Sequence, residues 1–174
     1  MPSRFILDPA LQLDELASYH QDIMAALHIY FSPSAPTFAA RFAGKRLAEV
    51  DHELELRVAE SDARSALVVL TSLEATFQVD FDFRRRKMLT DPLSVYFREL
   101  GKKRNRVRLE DILEGWKIYT SAPPKLISDL RGAFKFRHWL AHGRYWTPNF
   151  GAKYDFVNVH LMARGVVSRF LFAG

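Results

Sequence analysis

Apolar residues recur in this chain at intervals of three and four, from Leu11 near one end to Leu171 near the other, while the strict alternation that marks a half-buried strand is scarce. A chain patterned in this way buries one stripe per helix, so the spacing predicts an all-α, antiparallel multi-helix bundle. Prolines and glycines divide the pattern. Leu11, Leu13, Leu16, Met24, Leu27 and Phe31 mark a first helix, which the two prolines of "SPSAP" end. A second helix is expected from Phe38 through Leu47, Val50 and Leu54 to Val58. Ser61 has the side chain of an N-cap for a third, whose stripe is Leu67, Leu70, Phe77 and Phe81.

Pro92 suits the first turn of a short helix that Gly101 should end, and the basic "KKRNRVR" reads as the loop after it. "LEDILEGWKIY" is a further helix, stopped by "APP". From Pro124 the residues Leu126, Ile127, Leu130, Phe134 and Leu140 predict a long helix ending at Gly143, and Phe156, Val159, Met162, Val166, Phe170 and Leu171 a last one. At 174 residues the chain is expected to form one domain. Within it, residues 1–60 would be an N-terminal helical pair and residues 61–172 the main bundle.

Two features narrow the chemistry. The chain holds no cysteine, which removes disulfides, thiol catalysis and thiolate zinc sites. Residues 84–108 hold ten Lys or Arg against Asp91 and Glu99, a local charge of +8 in a chain whose net is +5, so the remainder carries −3. A basic segment on a mildly acidic body suits a polyanion such as RNA, because each phosphate contact releases counterions; it equally suits a solvated, solubilising surface. Arg84, Arg85, Lys102, Lys103, Arg104 and Arg144 are the candidate phosphate contacts. No apolar run approaches the length of a bilayer span and no leader precedes the first helix, so a cytoplasmic protein with no membrane partner is expected.

The densest stretch is "FRHWLAHGRYW", residues 136–146, at the end of the penultimate helix. Arg137 and His142 are five apart, about 140° around a straight helix, whereas His138 and His142 are about 40° apart and share a face. One helix alone therefore does not aim Arg137 and His142 at one phosphate. Either the helix distorts near its end or two copies meet about a two-fold axis.

Arg137, the polar His138, then Trp139, Leu140 and Ala141, then His142, resembles the Arg-polar-x-x-x-His signature of the HEPN superfamily, which lies at the end of a late helix in an all-α bundle. The resemblance spans about residues 60–172. It implies a metal-independent endoribonuclease of toxin or phage-defence type, working without cofactors as a homodimer whose motifs meet across the interface. For a toxin the resemblance implies a cognate antitoxin of nucleotidyltransferase type. A toxin branch carries a tyrosine two residues after the histidine. Here Gly143 and Arg144 stand between His142 and Tyr145, which is kept as a supporting residue.

The chemistry agrees with such a role. RNA cut without a metal uses its own 2′-OH against the adjacent phosphate and leaves a 2′,3′-cyclic phosphate; the reaction needs a base, an acid and a cation for the growing phosphoryl charge. Histidine serves either proton transfer near neutral pH, and arginine grips phosphate with a permanently charged fork. Arg137 and His142 are thus the candidate catalytic pair, with His138 in support. Tyr145, Trp139 and Trp146 are candidates to stack on unpaired bases, although Trp139, Leu140 and Ala141 also read as the helix's anchor to the bundle. Glu74 interrupts an apolar stripe and needs a partner; it either orients Arg137 or a histidine, or reaches water at the stripe's edge.

Two other readings stay open. A catalytically silent RNA-binding or adaptor domain would use the basic segment alone. A metal enzyme would take His138 and His142 with His160 or Asp155, but the sequence lacks the Glu of His-Glu-x-x-His and nothing fixes the third ligand.

Overall fold

The computed structural model describes residues 9–103, 107–143 and 153–173. Among them are seven helices and no strand: α1 (Pro9–Tyr30), α2 (Phe38–Arg41), α3 (Leu47–Arg86), α4 (Pro92–Lys103), α5 (Leu109–Tyr119), α6 (Pro124–Ala141) and α7 (Phe156–Arg169). The chain is an all-α helical bundle, as the apolar spacing requires. No described helix is long and apolar enough to cross a membrane.

The sequence reading errs most instructively in α3. It expects two helices meeting at Ser61, yet one helix of 40 residues runs straight through that position, and Ser61 caps nothing. The break that does occur lies earlier, where α2 makes a single turn and Gly44 adopts φ +79° before Leu47. The misreading has a physical cause. Val50 and Leu54 lie on one side of α3, whereas Ala66, Leu70, Leu73 and Phe77 lie roughly two-fifths of a turn away at 100° per residue.

A stripe that jumps sideways looks like two helices, but here it is one helix serving two cores. Val50 joins Phe31 and Phe42, with Leu27, Phe38 and Leu54 against them, in a small cluster. The second half of α3 supplies Ala66, Val69, Leu70, Leu73, Phe77 and Phe81 to the main core, where they meet Leu93 and Phe97 of α4, Ile112, Leu113 and Trp116 of α5, Ile127 and Leu130 of α6, and Val159 and Val166 of α7. Leu13 of α1 also belongs to this core, and the side chain of Leu11 lies outside the described residues.

Helix ends follow their capping chemistry. The Glu49 carboxylate accepts the Arg46 amide at 2.7 Å to start α3, and Asp155 accepts the Asn158 amide at 2.9 Å to start α7. Asp91 accepts the Ser94 amide at 3.1 Å, so the residue before Pro92 caps α4. Gly143, at φ +88°, follows the end of α6 as expected. Gly101 does not end α4, which continues to Lys103. Its lack of a side chain serves packing instead: a Cβ there would sit 2.7 Å from Cδ of Arg85.

His20 ties three helices together. Its Nδ1 lies 3.0 Å from Ser65 Oγ and its Nε2 3.5 Å from Asp62 Oδ1, both on α3, while its ring stacks on Phe156 of α7 at 3.9 Å. The other Asp62 oxygen accepts the Phe156 amide at 3.1 Å. Burial lowers the His20 pKa, and the Asp62 charge only partly opposes it. The unfolded chain therefore binds this proton more readily than the folded one, and stability falls as pH drops below the ordinary histidine value of about 6.5. Urea midpoints between pH 7 and pH 5 should decline in the native chain and decline less steeply in His20→Gln; equal slopes would remove His20 as the cause.

Candidate active site at the end of α6

Arg137 is placed by α6 against the middle of α3. Its Nη2 lies 3.0 Å from Oε2 of Glu74, with both side chains less than a third exposed. The interruption that Glu74 makes in the apolar stripe is thus matched by a cation from α6, while its side chain, 30% exposed, also reaches water, so both arrangements open to it in the sequence hold in part. Arg137 Nε is buried and donates to no acceptor among the described residues. A guanidinium carries five donors, more than one carboxylate contact uses.

His138 and His142 are exposed and adjacent, their ring centroids 4.1 Å apart. α6 is regular through Ala141, and His142 is its C-cap, at φ −103° and ψ 23°, with its amide still bonded to the His138 carbonyl at 3.1 Å. The residues thus separate into a buttressed arginine on the α3 side and a solvent-facing histidine pair one turn along. No described contact joins Arg137 to His142.

The anchoring expected of Trp139, Leu140 and Ala141 is only partly realised. Trp139 and Leu140 are half-buried, and Trp139 stacks on Phe136 at 5.9 Å, but Ala141 is exposed. Phe136 stacks in turn on Tyr154 at 5.3 Å. Arg144, Tyr145 and Trp146 lie outside the described residues, as does Arg104.

The basic segment also resolves into parts. Arg84 is not a surface cation: it is buried and every guanidinium nitrogen is engaged. Its Nε donates to both oxygens of Asp80, at 3.0 and 2.9 Å. Nη1 donates to Asp91 and Ser94, and Nη2 to the Leu171 carbonyl at 2.6 Å. Its assignment to RNA is therefore withdrawn, because no phosphate reaches it without dismantling these bonds. Burial pushes the Asp80 carboxyl above its ordinary range despite the Ala173 amide and Arg84. Asp91 is held below its range, since bonds from Ser94 and the charge of Arg84 outweigh its burial.

Arg85, Lys102 and Lys103 are exposed. The close approach of Gly101 to the Arg85 side chain brings the end of α4 beside the last turn of α3, so these cations share one surface. Arg85 also pairs with Asp82, and Lys102 with Glu99. Arg85 lies eleven residues beyond Glu74 on α3, roughly 16 Å along the axis.

The residues considered as a third metal ligand are occupied elsewhere. His160 Nε2 lies 3.2 Å from the Leu13 carbonyl, and Asp155 caps α7 while pairing with Lys153. Among the described residues no group of three His, Asp or Glu side chains is placed to hold a metal ion.

Sequence reasoning missed the Asp80–Arg84–Asp91 network, although Asp80 stands four residues before Arg84, the spacing of an ion pair on one helix face. It also missed the His20–Asp62–Ser65 cluster, for which 45 residues of separation leave no local signal. Comparison of the chain with known protein families, with curated proteins and with solved structures returns no match.

Proposed function

We propose that the chain is a metal-independent endoribonuclease of toxin or defence type, with Arg137 and His142 acting on the scissile phosphate in a site shared across a homodimer. The observation that carries this reading is the polar set at the end of α6: Arg137 held by Glu74, and His138 and His142 exposed beside one another. Glu74 restricts the arginine's fork, so that little order is lost when phosphate binds. Arg137 stabilises the charge developing on the phosphoryl oxygens. His142 transfers a proton at the 2′-OH or at the departing 5′-oxygen, and His138 bears on its orientation through the ring contact. Arg85, Lys102 and Lys103 hold the flanking backbone electrostatically.

The dimer answers a geometric need. With Arg137 turned to Glu74 and His142 facing solvent, a second copy supplies the group that one chain does not bring to the same phosphate. RNA is the substrate, and a cognate antitoxin would cover the two histidines.

The test is incubation of the purified chain with single-stranded RNA in a chelator. Fragments ending in 2′,3′-cyclic phosphate are expected, falling by about 10²–10⁴-fold in His142→Ala and by a comparable factor in Arg137→Ala. Salt-sensitive RNA binding without cleavage would instead identify a silent binding domain. Normal cutting by both variants, with folding intact, refutes the assignment. A strict monomer in gel filtration that still cuts refutes the shared site.

A further inference from the structure

The face of α3 that points away from the main core is exposed over residues 64–82, and it carries almost no charge. Val68 and Val79 are 46% and 48% exposed, and Thr71 and Ala75 between them are exposed too. At 100° per residue Val68, Ala75 and Val79 fall within about 40° of one another, about half a turn from the core stripe of Ala66, Leu70, Leu73 and Phe77. The only charged residues between Arg64 and Asp82 are Glu74, which turns to Arg137, and the buried Asp80. Residues 47–64 of the same helix hold eight. A solvated helix face ordinarily resembles that first half, whereas an uncharged one with two half-exposed valines suits a partner. The Thr71 hydroxyl is already satisfied, donating to the Leu67 carbonyl at 2.8 Å, so covering this face strands no donor there.

Two properties select a second copy of the chain as that partner. The spacing is the same read from either end: Val68 with Val79, Thr71 with Ala75, and Arg64 with Asp82 are pairs centred beside Leu73 and Glu74. A two-fold contact needs that symmetry, because residue i of one protomer meets j of its partner and j meets i. With two α3 helices antiparallel, Val68 meets the partner's Val79, and Arg64 meets the partner's Asp82 at both ends of the contact. Arg64 and Asp82 both lie about 40° to one side of the stripe's middle, as opposite charges paired across such an axis must.

That side is also the one that holds Glu74. α7 runs along α3, with Phe156 at Asp62 and Ala173 at Asp80, and α6 runs back along α7, with Leu126 against Gly165 and Gly132 against Tyr154. α6 is therefore antiparallel to α3, and His142, five residues past Arg137, lies about 7 Å along α3 from the level of Glu74. A two-fold axis beside Glu74 brings both Glu74–Arg137 pairs and both histidine pairs to one side of the paired helices.

We propose that the outward face of α3, from Arg64 to Asp82, is the contact of an antiparallel homodimer, and that this contact lays the two α6 ends side by side. The pairing of the α6 ends rests on the reading of Arg137 and His142 as a shared site; the self-complementary face stands without it.

Sedimentation of the 20.1 kDa chain over a range of concentrations is the test. The native chain should sediment as a dimer. Ala75→Glu, which sets two carboxylates against each other near the axis, should sediment as a monomer of unchanged helical content. A native monomer, or a dimer that survives Ala75→Glu, overturns the proposal. Should Ala75→Glu not fold, the charge pair decides. Arg64→Asp should weaken the dimer by about tenfold in Kd, and adding Asp82→Arg should restore it, since opposite charges then meet again with their places exchanged. No difference between the single and double variants overturns the proposal. RNA cleavage separates this result from the nuclease reading. A dimer abolished by Ala75→Glu in a chain that never cuts RNA keeps the face and refutes the shared site, whereas cutting by a dimer indifferent to Ala75→Glu keeps the nuclease and overturns the face.

Discussion

Arg84→Met is expected to lower the stability of the fold by about 3–5 kcal/mol, because it strands a carboxylate that has no access to water. Asp80 is fully buried and takes two bonds from Arg84 Nε, so the substitution leaves Asp80 with the Ala173 amide as its remaining partner. The same change frees the Leu171 carbonyl and half of the bonds that hold Asp91 and Ser94 at the start of α4. Urea denaturation measures the loss. Two further results would identify its cause. The deficit should shrink as pH falls, since a stranded buried carboxyl is readily protonated and its desolvation then vanishes. Asp80→Leu combined with Arg84→Met should recover part of the loss, because removing both charges leaves neither unpaired. A deficit that is constant with pH and additive in the double variant would mean that the guanidinium acts by packing alone, through its place 5.4 Å above the Trp116 ring.

Phe77→Ala is expected to destabilise by about 3–5 kcal/mol, the range for removing a fully buried phenylalanine and leaving a cavity behind. Phe77 is 0% exposed and its ring meets Trp116, Phe170 and Phe172 edge-on. Those three partners come from α5 and from the residues after α7, and they also pack on one another. Phe31→Ala is the informative comparison. Phe31 is also buried, but its cluster has two other buried members, Phe42 and Val50, and the rings around it lie close to solvent. It should therefore cost distinctly less than Phe77→Ala. Equal losses in the two variants would show that the small cluster carries as much of the fold as the main core.

The elements whose apolar stripe stays in one phase were legible in the sequence. α5, α6 and α7 lie close to where "LEDILEGWKIY", the run from Pro124 and the run from Phe156 place them, since proline and glycine bound each. α3 was not, for the opposite reason: its stripe changes phase between Val58 and Ala66, and local pattern does not distinguish a phase change from a chain break. Glu74 was legible as a group in need of a partner, because a carboxylate among apolar neighbours is an energetic anomaly. Arg84 was misread because it stands in a run of four cations, and only the fold turns one of them inward. What separates Arg84 from Arg85 is their positions around the helix, which composition does not carry.

The single helix that spans both cores also sets a rule for changes in chain length. Each residue added between Val58 and Ala66 turns everything on the N-terminal side by about 100° and moves it about 1.5 Å along the axis. One extra residue thus carries Val50 off the face that meets Phe31 and Phe42, while a set of seven or eleven nearly restores the angle. This stretch of α3 behaves as a phase coupling between two packing sites, and an insertion in it disturbs both at once.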